Sequence, residues 1–460
     1  MPAPNKLVLS NWMHGTIKPG RVEAARSAAL AKARGLRRPA LCIHHQISSG
    51  KPAMFRPCCL LVGCICVLLG GSVCLLSGGA LQAADGPRPA AAGRPVRVIN
   101  VADDAALRTA VQQATPGTHV RIAPGQYRPG LYIVGLKGTA EQPIVIEGSD
   151  ANNPPLFQGG STAWQLSRCQ YVTLRNIAVS GQTGNGINID DGGPGNPAAQ
   201  HIVLERISVT DIGPKGNRDA VKLSGVDDFI VRHCQLEGWA GQAVDMVGCH
   251  RGLIEHCTFK GKAGYSDNTG PQAKGGSSDI VIRRCLFLDA ADRGVNLGGS
   301  TAEAVFRPKG AKYEAQRITV EGCVFVGCQA PVAFVGLDGG VVRYNTIYRP
   351  RKWVVRILQE NNSPGFPQCS NGRFENNLIV FRRSEVPIEV NTGPNTRPET
   401  FRFANNWWYC EDQPRASRPR LPVGESGGIY GIDPQLADPS KQDFRPLNPR
   451  AAGFGATAIK

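Results

Sequence analysis

Polar side chains recur at one position in a series of short apolar strands. These strands carry paired apolar residues, for example Val221 with Leu223, or Val244 with Met246. Because successive side chains of a β-strand point to opposite faces, the residue between each pair points away from the apolar face. The predicted outward residues form a stripe that consists of Asn188, Lys222, Asp245, Lys274, Asn296, Ala333, Arg356 and Glu389.

A stripe of lysine, arginine, aspartate and asparagine suits a polymer of uronic acids. Cleavage of such a polymer by β-elimination needs a base for the carbon-bound proton next to the carboxylate, and a cation that neutralises this carboxylate. A lysine serves as the base when adjacent cations favour its neutral form, which Arg293 or a bound calcium ion would do for Lys274. Asp245 has the opposite effect on a nearby lysine unless it holds the calcium ion. We therefore predict Asp245 and Asp219 as metal ligands.

Further side chains complete the predicted cleft. Lys222 and Lys274 are expected about 10 Å apart if they lie two strands from each other. The insertion at residues 261–270 is expected to raise a wall that carries Tyr265. The predicted catalytic residues are Lys274 and Arg293. The predicted substrate-binding residues are Lys222, Asn188, Asn296, Arg356 and Tyr265.

The same residues also admit a purely structural interpretation. A ladder of alternating charge limits edge pairing and favours solubility. Asp190 and Asp191 precede two glycines, as turn residues do, and are the one adjacent acid pair near the stripe. Hydrolysis by paired carboxylates is therefore less favoured than elimination. A non-catalytic solenoid that binds glycan or builds a cell surface remains the alternative to an enzyme.

A repeated phrase provides the strands that must position these side chains. Successive copies begin 22 to 38 residues apart, with Gly-rich turns and no helical pattern between them. A period of this length is typical of a solenoid of stacked coils. The nine copies are LRNIAV, LERISV, VRHCQL, IEHCTF, IRRCLF, VEGCVF, VRYNTI, FENNLI and FANNWW, between Leu174 and Trp408.

The fourth letter of the phrase predicts the register of the stack. In parallel coils, equivalent residues lie about 4.8 Å apart, so like side chains form ladders. We expect the ladder cysteines to be small buried hydrophobic residues, with a disulfide between adjacent rungs as the alternative. The ladder runs through Ile177, Ile207, Cys234, Cys257, Cys285, Cys323, Asn345, Asn377 and Asn406.

The two ends of the chain have different compositions. We interpret residues 1–53 as an upstream extension and residues 54–84 as a secretion signal, because a basic start, an apolar run and small residues follow one another. Residues 85–95 form a Pro- and Ala-rich linker, residues 96–447 the β-helix domain and residues 448–460 a tail. This predicts a secreted, periplasmic or cell-surface monomer with no stable membrane insertion after cleavage.

The net charge of the chain indicates which class of polymer it could bind. The formal net charge is +16, and residues 1–85 contain ten Lys and Arg and two acidic residues, so +8 remains in the rest of the chain. An excess of positive charge favours acidic polymers. No Arg-rich helix, aromatic-interleaved basic stretch or zinc motif predicts nucleic-acid binding.

Capping elements are expected at both ends of the solenoid. The segment Asp103 to Ala114 (DDAALRTAVQQA) has helical spacing and is expected to cover the first coil, whose unpaired edge would otherwise favour aggregation. The Pro-rich segment from Gly431 to Leu447 is expected to form an irregular cap at the other end.

Two segments carry a resemblance to known proteins. ATPGTHVRIAPGQY from Ala114 and GLKGTAEQPIVIEG from Gly135 resemble the N-terminal coils of secreted right-handed parallel β-helix proteins, including polysaccharide lyases of the alginate lyase and chondroitinase B type. GIDPQLADPSKQDFRP from Gly431 is similar to the end of many such proteins. The resemblance covers most of residues 96–447 and implies an all-β, right-handed parallel β-helix.

The resemblance also implies a site. In those lyases a lysine is the base, an arginine about one coil later is the acid, and calcium neutralises the uronate in many members. Lys274 in QAKGGS and Arg293 in DRGVNLGG, nineteen residues later, match this arrangement in type and spacing. An acidic polysaccharide is the implied substrate.

Overall fold

A computed structural model describes residues 86–87 and 94–459 apart from residues 194 and 291, so the predicted leader lies outside the described residues. The described chain winds into coils that stack in parallel around a continuous apolar core. Each coil contributes strands to three faces, here called sheet 1, sheet 2 and sheet 3. The predicted right-handed parallel β-helix is confirmed.

Equivalent strands of successive coils pair in parallel within each face. Sheet 1 contains Arg97–Val101, Thr118–Ile122, Ile144–Gly148, the first parts of Gln170–Ser180 and Ala199–Ile212, Val226–Asp227, Ile230–Arg232, His250–Glu255, Ser277–Arg283, Ala315–Glu321, Leu337–Arg343, Ser370–Glu375, Arg402–Ala404 and Glu425–Ser426. Sheet 2 contains Gln126–Tyr127, Leu156–Gln158, the second parts of Gln170–Ser180 and Ala199–Ile212, Gln235–Trp239, Thr258–Lys260, Leu286–Leu288, Val324–Val326, Thr346–Tyr348, Leu378–Phe381, Trp407–Cys410 and Ile429–Tyr430. Sheet 3 contains Leu131–Val134, Trp164–Ser167, Ile187–Asp190, Val221–Ser224, Gln242–Val247, Thr269–Lys274, Arg293–Gly298, Ala330–Val335, Val355–Leu358 and Val390–Thr392.

The bend between sheet 1 and sheet 2 falls inside the repeated phrase. Its third residue adopts a left-handed conformation, with φ of 51° at Arg206, 55° at His233 and 53° at Tyr344. This turns the chain through the corner and points the fourth residue into the core. The registers of neighbouring strands place the fourth residues opposite one another, so the predicted ladder is confirmed.

The polar half of this ladder is fully hydrogen-bonded. Asn345 Nδ2 donates to Asn377 Oδ1 over 3.0 Å, and Asn377 Nδ2 donates to Asn406 Oδ1 over 3.0 Å. The series ends at Glu425, whose Oε1 accepts a hydrogen bond from Asn406 Nδ2 over 2.7 Å. These three asparagines are completely buried, so their hydrogen bonds fix the register of the last coils.

The sulfur half of the ladder contains no disulfide. All the cysteines of the described residues are free and buried, which confirms the prediction for the four ladder cysteines. Cys257 Sγ donates to the carbonyl oxygens of Val231 and Glu255 at 3.5 and 3.3 Å. Burial raises the pKa of Cys234, Cys257 and Cys285 well above the usual value, so these three thiols are protonated and unreactive.

Both ends of the stack are capped. The only α-helix of the described residues, Asp104–Gln112, starts at Asp103, whose Oδ1 accepts from Ala106 N over 2.8 Å. At the other end, Leu436–Asp438 and Asp443–Pro446 pair antiparallel. Short 3-10 helices occupy Glu303–Val305, Pro398–Thr400, Pro414–Ala416, Pro439–Lys441, Pro449–Ala451 and Ala456–Ala458. Among the described residues, no helix is long and apolar enough to cross a membrane.

The outer surface of sheet 1 carries an alternating ladder of arginine and glutamate. Its ion pairs are short: Arg175 to Glu147 is 2.5 Å, and Arg343 to Glu321 is 2.7 Å. Sequence analysis overlooked this ladder, although the second letter of the phrase alternates between R and E. The members, in register, are Arg121, Glu147, Arg175, Glu205, Arg232, Glu255, Arg283, Glu321, Arg343 and Glu375.

Beside this ladder, four outward apolar residues of sheet 1 are also buried: Val203, Ile230, Leu253 and Val281. Gly86 packs against Leu253. The outside of sheet 1 is therefore occupied by compensated charges and packed apolar side chains. Sheet 3, by contrast, carries unlike charged and polar side chains next to one another on its outer side.

Each asparagine of the ladder should contribute more to the free energy of unfolding than each cysteine of the ladder. Asn377→Ala removes the acceptor of the Asn345 main-chain N–H and one of the two acceptors of its side-chain amide, which we expect to cost about 2–4 kcal/mol of unfolding free energy. Cys257→Ala removes a small hydrophobic group and should cost about 1 kcal/mol. Urea unfolding of both variants measures the difference. Equal losses would contradict a stabilising role for the amide hydrogen bonds.

Candidate active site

A single column of outward residues runs along sheet 3, here called the central column. Strand registers place opposite one another Tyr132, Gln165, Asn188, Lys222, Asp245, Gln272, Asn296, Ala333, Arg356 and Asn391. The predicted stripe is thus largely present. Two of its predicted members do not belong to this column.

Lys274 lies one outward position further along its strand than predicted. It pairs with Val247, whereas Gln272 pairs with Asp245. The strand ends at Lys274, and Gly275 adopts a left-handed φ of 64° in the turn that follows. A shift of two residues preserves the side-chain parity, so Lys274 still faces outward.

Glu389 was also predicted wrongly. Its side chain is completely buried and forms an ion pair with Arg383. The last strand of sheet 3 begins later, at Val390, and Asn391 takes the place opposite Arg356. Ile388, which precedes Glu389, lies outside the strand and is 44% exposed.

Four charged residues meet at the middle of the central column. They are Asp219, Lys222, Asp245 and Lys274, here called the charge cluster. Lys222 Nζ contacts Asp245 Oδ2 directly and lies 3.4 Å from Asp219 Oδ2. Lys274 Nζ lies 3.0 Å from Asp245 Oδ1. Asp245 is completely buried beneath the two lysines, although it sits on the outward side of its strand.

The two carboxylates have opposite electrostatic surroundings. Burial and the adjacent Asp245 raise the pKa of Asp219 to about 6. Burial acts on Asp245 in the same direction, but Lys222 and Lys274 outweigh it and hold its pKa below the usual range. Burial alone would lower the pKa of Lys222, but Asp245 and Asp219 outweigh it and raise the pKa. Lys222 is therefore a fixed cation.

The two predicted metal ligands do not suit calcium in this arrangement. Lysine ammonium groups contact both oxygens of Asp245 and one oxygen of Asp219. The other Asp219 oxygen, Oδ1, accepts from Gln242 N over 2.9 Å. Across the described part of the chain, no group of three or more His, Cys, Asp or Glu side chains is arranged to hold a metal ion. Calcium would have to displace an ammonium group.

A second group of cations lies further along sheet 3. Arg293 Nη2 donates to Glu360 Oε1 over 2.6 Å, and Arg293 Nη1 lies 3.4 Å from Asn296 Oδ1. The Arg356 guanidinium stacks on the Trp353 ring, 4.3 Å from its centroid. Burial, together with the nearby Arg293, lowers the pKa of Arg356. The predicted residues Arg293, Asn296 and Arg356 thus lie close together on sheet 3.

Two loops border the face at the carboxyl ends of its strands. Residues 299–314 and 359–369 meet where the rings of Phe306 and Phe366 lie 5.9 Å apart. Buried Glu314 ties them together, because it accepts from Gly275 N and from Asn361 Nδ2, each over 2.9 Å. The site is therefore a groove with a rigid wall on this side.

The opposite wall is formed by the turn at residues 261–268. Asp267 accepts from Trp239 N and Lys262 N, at 3.1 and 2.8 Å, and holds the turn. Tyr265 packs beside Gly238 and Lys262, and its described contacts do not reach the charge cluster. A cavity of about 400 Å³ opens along this side, lined by Ser266, Asp267, Asp289, Asp292, Gln329, Arg351 and Lys352.

The sequence pattern misplaced one residue of the groove, Gln272, which was expected beside the stripe, and it missed two others. Gln272 occupies the place assigned to Lys274 and donates to Gly298 O over 3.1 Å. The Gly275-Gly276 pair was the available signal, because it marks the end of the strand. Glu360 and Trp353 gave no signal, since their roles depend on loop conformations rather than on alternation.

The charge cluster should make stability depend on pH through Asp219. Its pKa of about 6 lies above the value of about 3.9 for an unfolded chain, so the stability associated with its protonated form is present below pH 4 and lost as pH rises through 6. We expect Asp219→Asn to abolish this component, which amounts to at most about 3 kcal/mol.

Urea unfolding at pH 4 and pH 7.5 measures the component as the difference between the wild type and the variant. Asp150→Asn, on an exposed turn, is the matched control and should show the wild-type pH dependence. An identical pH dependence for Asp219→Asn and the wild type would contradict the assignment.

Comparison with known proteins gives the same fold. The family described as right-handed beta helix region matches residues 156–309 and 198–351. No curated protein matches the sequence. Three similar solved structures have TM-scores below 0.5, so they carry no argument about function.

An alginate lyase from Paenibacillus sp. str. FPU-7 is 16% identical, with a TM-score of 0.44 over 65% of this chain and 97% of that one. A pectate lyase is 12% identical, with a TM-score of 0.43 over 67% and 80%. A lacto-N-biosidase from Eubacterium ramulus is 14% identical, with a TM-score of 0.43 over 73% and 67%. The stacked parallel coils and the family model that matches residues 156–351 agree that this chain has a right-handed parallel β-helix fold.

Proposed function

We propose that the groove on sheet 3 binds an acidic polysaccharide and cleaves it by β-elimination. The observation that carries this proposal is the gathering of four cations on one walled face: Lys222, Lys274, Arg293 and Arg356. In the central column, Lys222 and Arg356 are five strands apart, or about 24 Å. A row of this length suits several successive carboxylates of an extended chain.

The reaction needs no redox partner. A base removes the proton on the carbon next to the uronate carboxylate, and the electron pair of that C–H bond forms a carbon–carbon double bond. The bond to the glycosidic oxygen breaks at the neighbouring carbon, and the departing oxygen takes up a proton. Stabilising the negative charge that develops on the carboxylate is the main requirement.

The contacts of the two lysines favour different roles. Lys222 contacts two carboxylates and stays charged, so it is suited to neutralise the substrate carboxylate. Lys274 contacts one carboxylate oxygen and is the less tightly held of the two, which supports it as the base. We assign to Arg293, which Glu360 orients, the role implied by the resemblance, namely to stabilise and protonate the departing oxygen.

The rest of the proposal follows from the sequence. The predicted signal at residues 54–84 supports action outside the cytoplasm, in the periplasm or at the cell surface, by a monomeric chain. Calcium remains part of the proposal only as an ion that the substrate carboxylates bring or share, because the cluster carboxylates are bound by lysines.

One observation favours a second function. Asp245 is buried between two ammonium groups, and together with Asp219 it raises the pKa of Lys222. A groove whose lysines stay charged binds uronates without cleaving them. A non-catalytic glycan-binding or structural β-helix is therefore the alternative, and the appearance of an unsaturated product distinguishes the two.

Removing the proposed base should abolish cleavage while preserving the fold. We expect Lys274→Ala to lower turnover of a uronate polymer about 10²–10⁴-fold, as measured by the ultraviolet absorbance of the new double bond. Alginate, pectate, chondroitin and a heparin-like polymer are tested with and without calcium. Lys260→Ala, on sheet 2, is the matched control and should keep wild-type activity.

Lys222→Ala distinguishes the two lysine roles, since loss of the neutralising cation should impair both binding and turnover. Full cleavage by Lys274→Ala would reject it as the base. Tight binding of a polymer without any unsaturated product from the wild type would favour the binding function.

A further inference from the structure

The N-terminal end of the central column has a different chemistry from the charge cluster. Its first three members are Tyr132, Gln165 and Asn188, and the outward flanking positions carry Val134, Ser167 and Asp190. None of these six outward residues is a lysine or an arginine. The groove therefore changes from cationic to uncharged and acidic between Lys222 and the first coils.

Asp190 organises this region with neutral hydrogen-bond partners. Its Oδ2 accepts from Gln165 Nε2 over 2.6 Å, and its Oδ1 accepts from Ser167 Oγ over 2.7 Å and from Gly192 N over 2.9 Å. Asn188 Nδ2 donates to Gln165 Oε1 over 2.7 Å. The carboxylate charge has no cation partner among its described contacts, so this stretch repels a uronate and offers polar groups to hydroxyls.

Tyr132 provides an aromatic surface next to these polar groups. It is 69% exposed, and Val134 on the same strand is 43% exposed. A single exposed tyrosine is ordinary. Here, however, the ring is in register with the groove, one strand from Gln165 and about 14 Å from the Lys222 position. An amphipathic ring beside hydrogen-bonding side chains suits the apolar face of a sugar.

We propose that Tyr132, Gln165, Asn188 and Asp190 form a subsite for an uncharged sugar unit. The inference rests on the proposed function, because the cationic part of the same groove binds the uronates. It narrows the substrate class to a heteropolysaccharide in which uronic acids are joined to neutral sugars. The polymer lies along the central column, with a neutral unit on the Tyr132 ring and a carboxylate at Lys222.

Two hexasaccharides test the subsite. One alternates glucuronic acid with N-acetylglucosamine, and the other consists of galacturonic acid alone. Affinities are measured by titration calorimetry in the Lys274→Ala background, which prevents cleavage. We expect Tyr132→Ala to weaken binding of the mixed probe about tenfold and to change binding of the uronate probe less than twofold.

Val98→Ala is the matched control, because Val98 is an exposed apolar residue, 48% exposed, on sheet 1. It should leave both affinities unchanged. An equal loss for the two probes upon Tyr132→Ala, or no loss for either, would overturn the neutral subsite. So would tighter binding of the uronate probe than of the mixed probe by the parent protein.

The outcome for the subsite is separable from the outcome for cleavage. Tyr132-dependent binding by a protein that never yields an unsaturated product would retain the subsite and reject elimination. Elimination products formed equally well by the wild type and Tyr132→Ala from a mixed polymer would retain elimination and reject the subsite.

Discussion

Parallel pairing between successive coils is the constraint on which the rest of the structure depends. Each residue lies opposite its equivalent one coil away, so every position of the coil becomes a column of side chains about 4.8 Å apart. A column persists only if neighbouring members tolerate one another at that spacing. The inward columns are apolar, the corner column changes from isoleucine to cysteine to asparagine, and the outward column of sheet 1 alternates in charge. The groove lies on sheet 3, where, unlike on sheet 1, neighbouring outward side chains do not alternate regularly in charge.

The charged residues of sheet 1 and sheet 3 serve different purposes. Those of sheet 1 stabilise the stack, and those of sheet 3 form the candidate site. On sheet 1, each glutamate has an arginine next to it, and the side chains are held at the surface. On sheet 3, two lysines share one buried carboxylate, and a second carboxylate beside them has a raised pKa. The first arrangement leaves no charge to offer a ligand. In the second, burial and the neighbouring Asp245 raise the pKa of Asp219, whereas Lys222 and Lys274 hold the pKa of Asp245 low. Such a separation is a feature of sites rather than of surfaces.

Much of the fold was predictable because it is repetitive. The nine phrases predicted the corner ladder with its sulfur and amide segments. The alternation in the strands of sheet 3 predicted the outward direction of Lys222, Asp245 and Lys274. The register of Lys274 was not predictable from alternation alone, since a shift of two residues leaves the parity unchanged. Glu389 was misplaced because its strand starts after it, which an irregular preceding loop conceals. The burial of Asp245 and the contact of Arg293 with Glu360 depend on side chains from coils and loops distant in sequence, which local patterns do not encode.

The alternating ladder of sheet 1 restricts how such a molecule can change in length. Removing the single coil that carries Glu255 would bring Arg232 directly against Arg283, and like charges in opposed positions are destabilising. Removing the coils of both Arg232 and Glu255 would instead bring Glu205 against Arg283 and restore the alternation. Insertion follows the same rule, because two added coils keep the alternation of charge and one added coil breaks it. The natural unit of growth for this solenoid is therefore two turns rather than one, although its backbone geometry repeats with every turn.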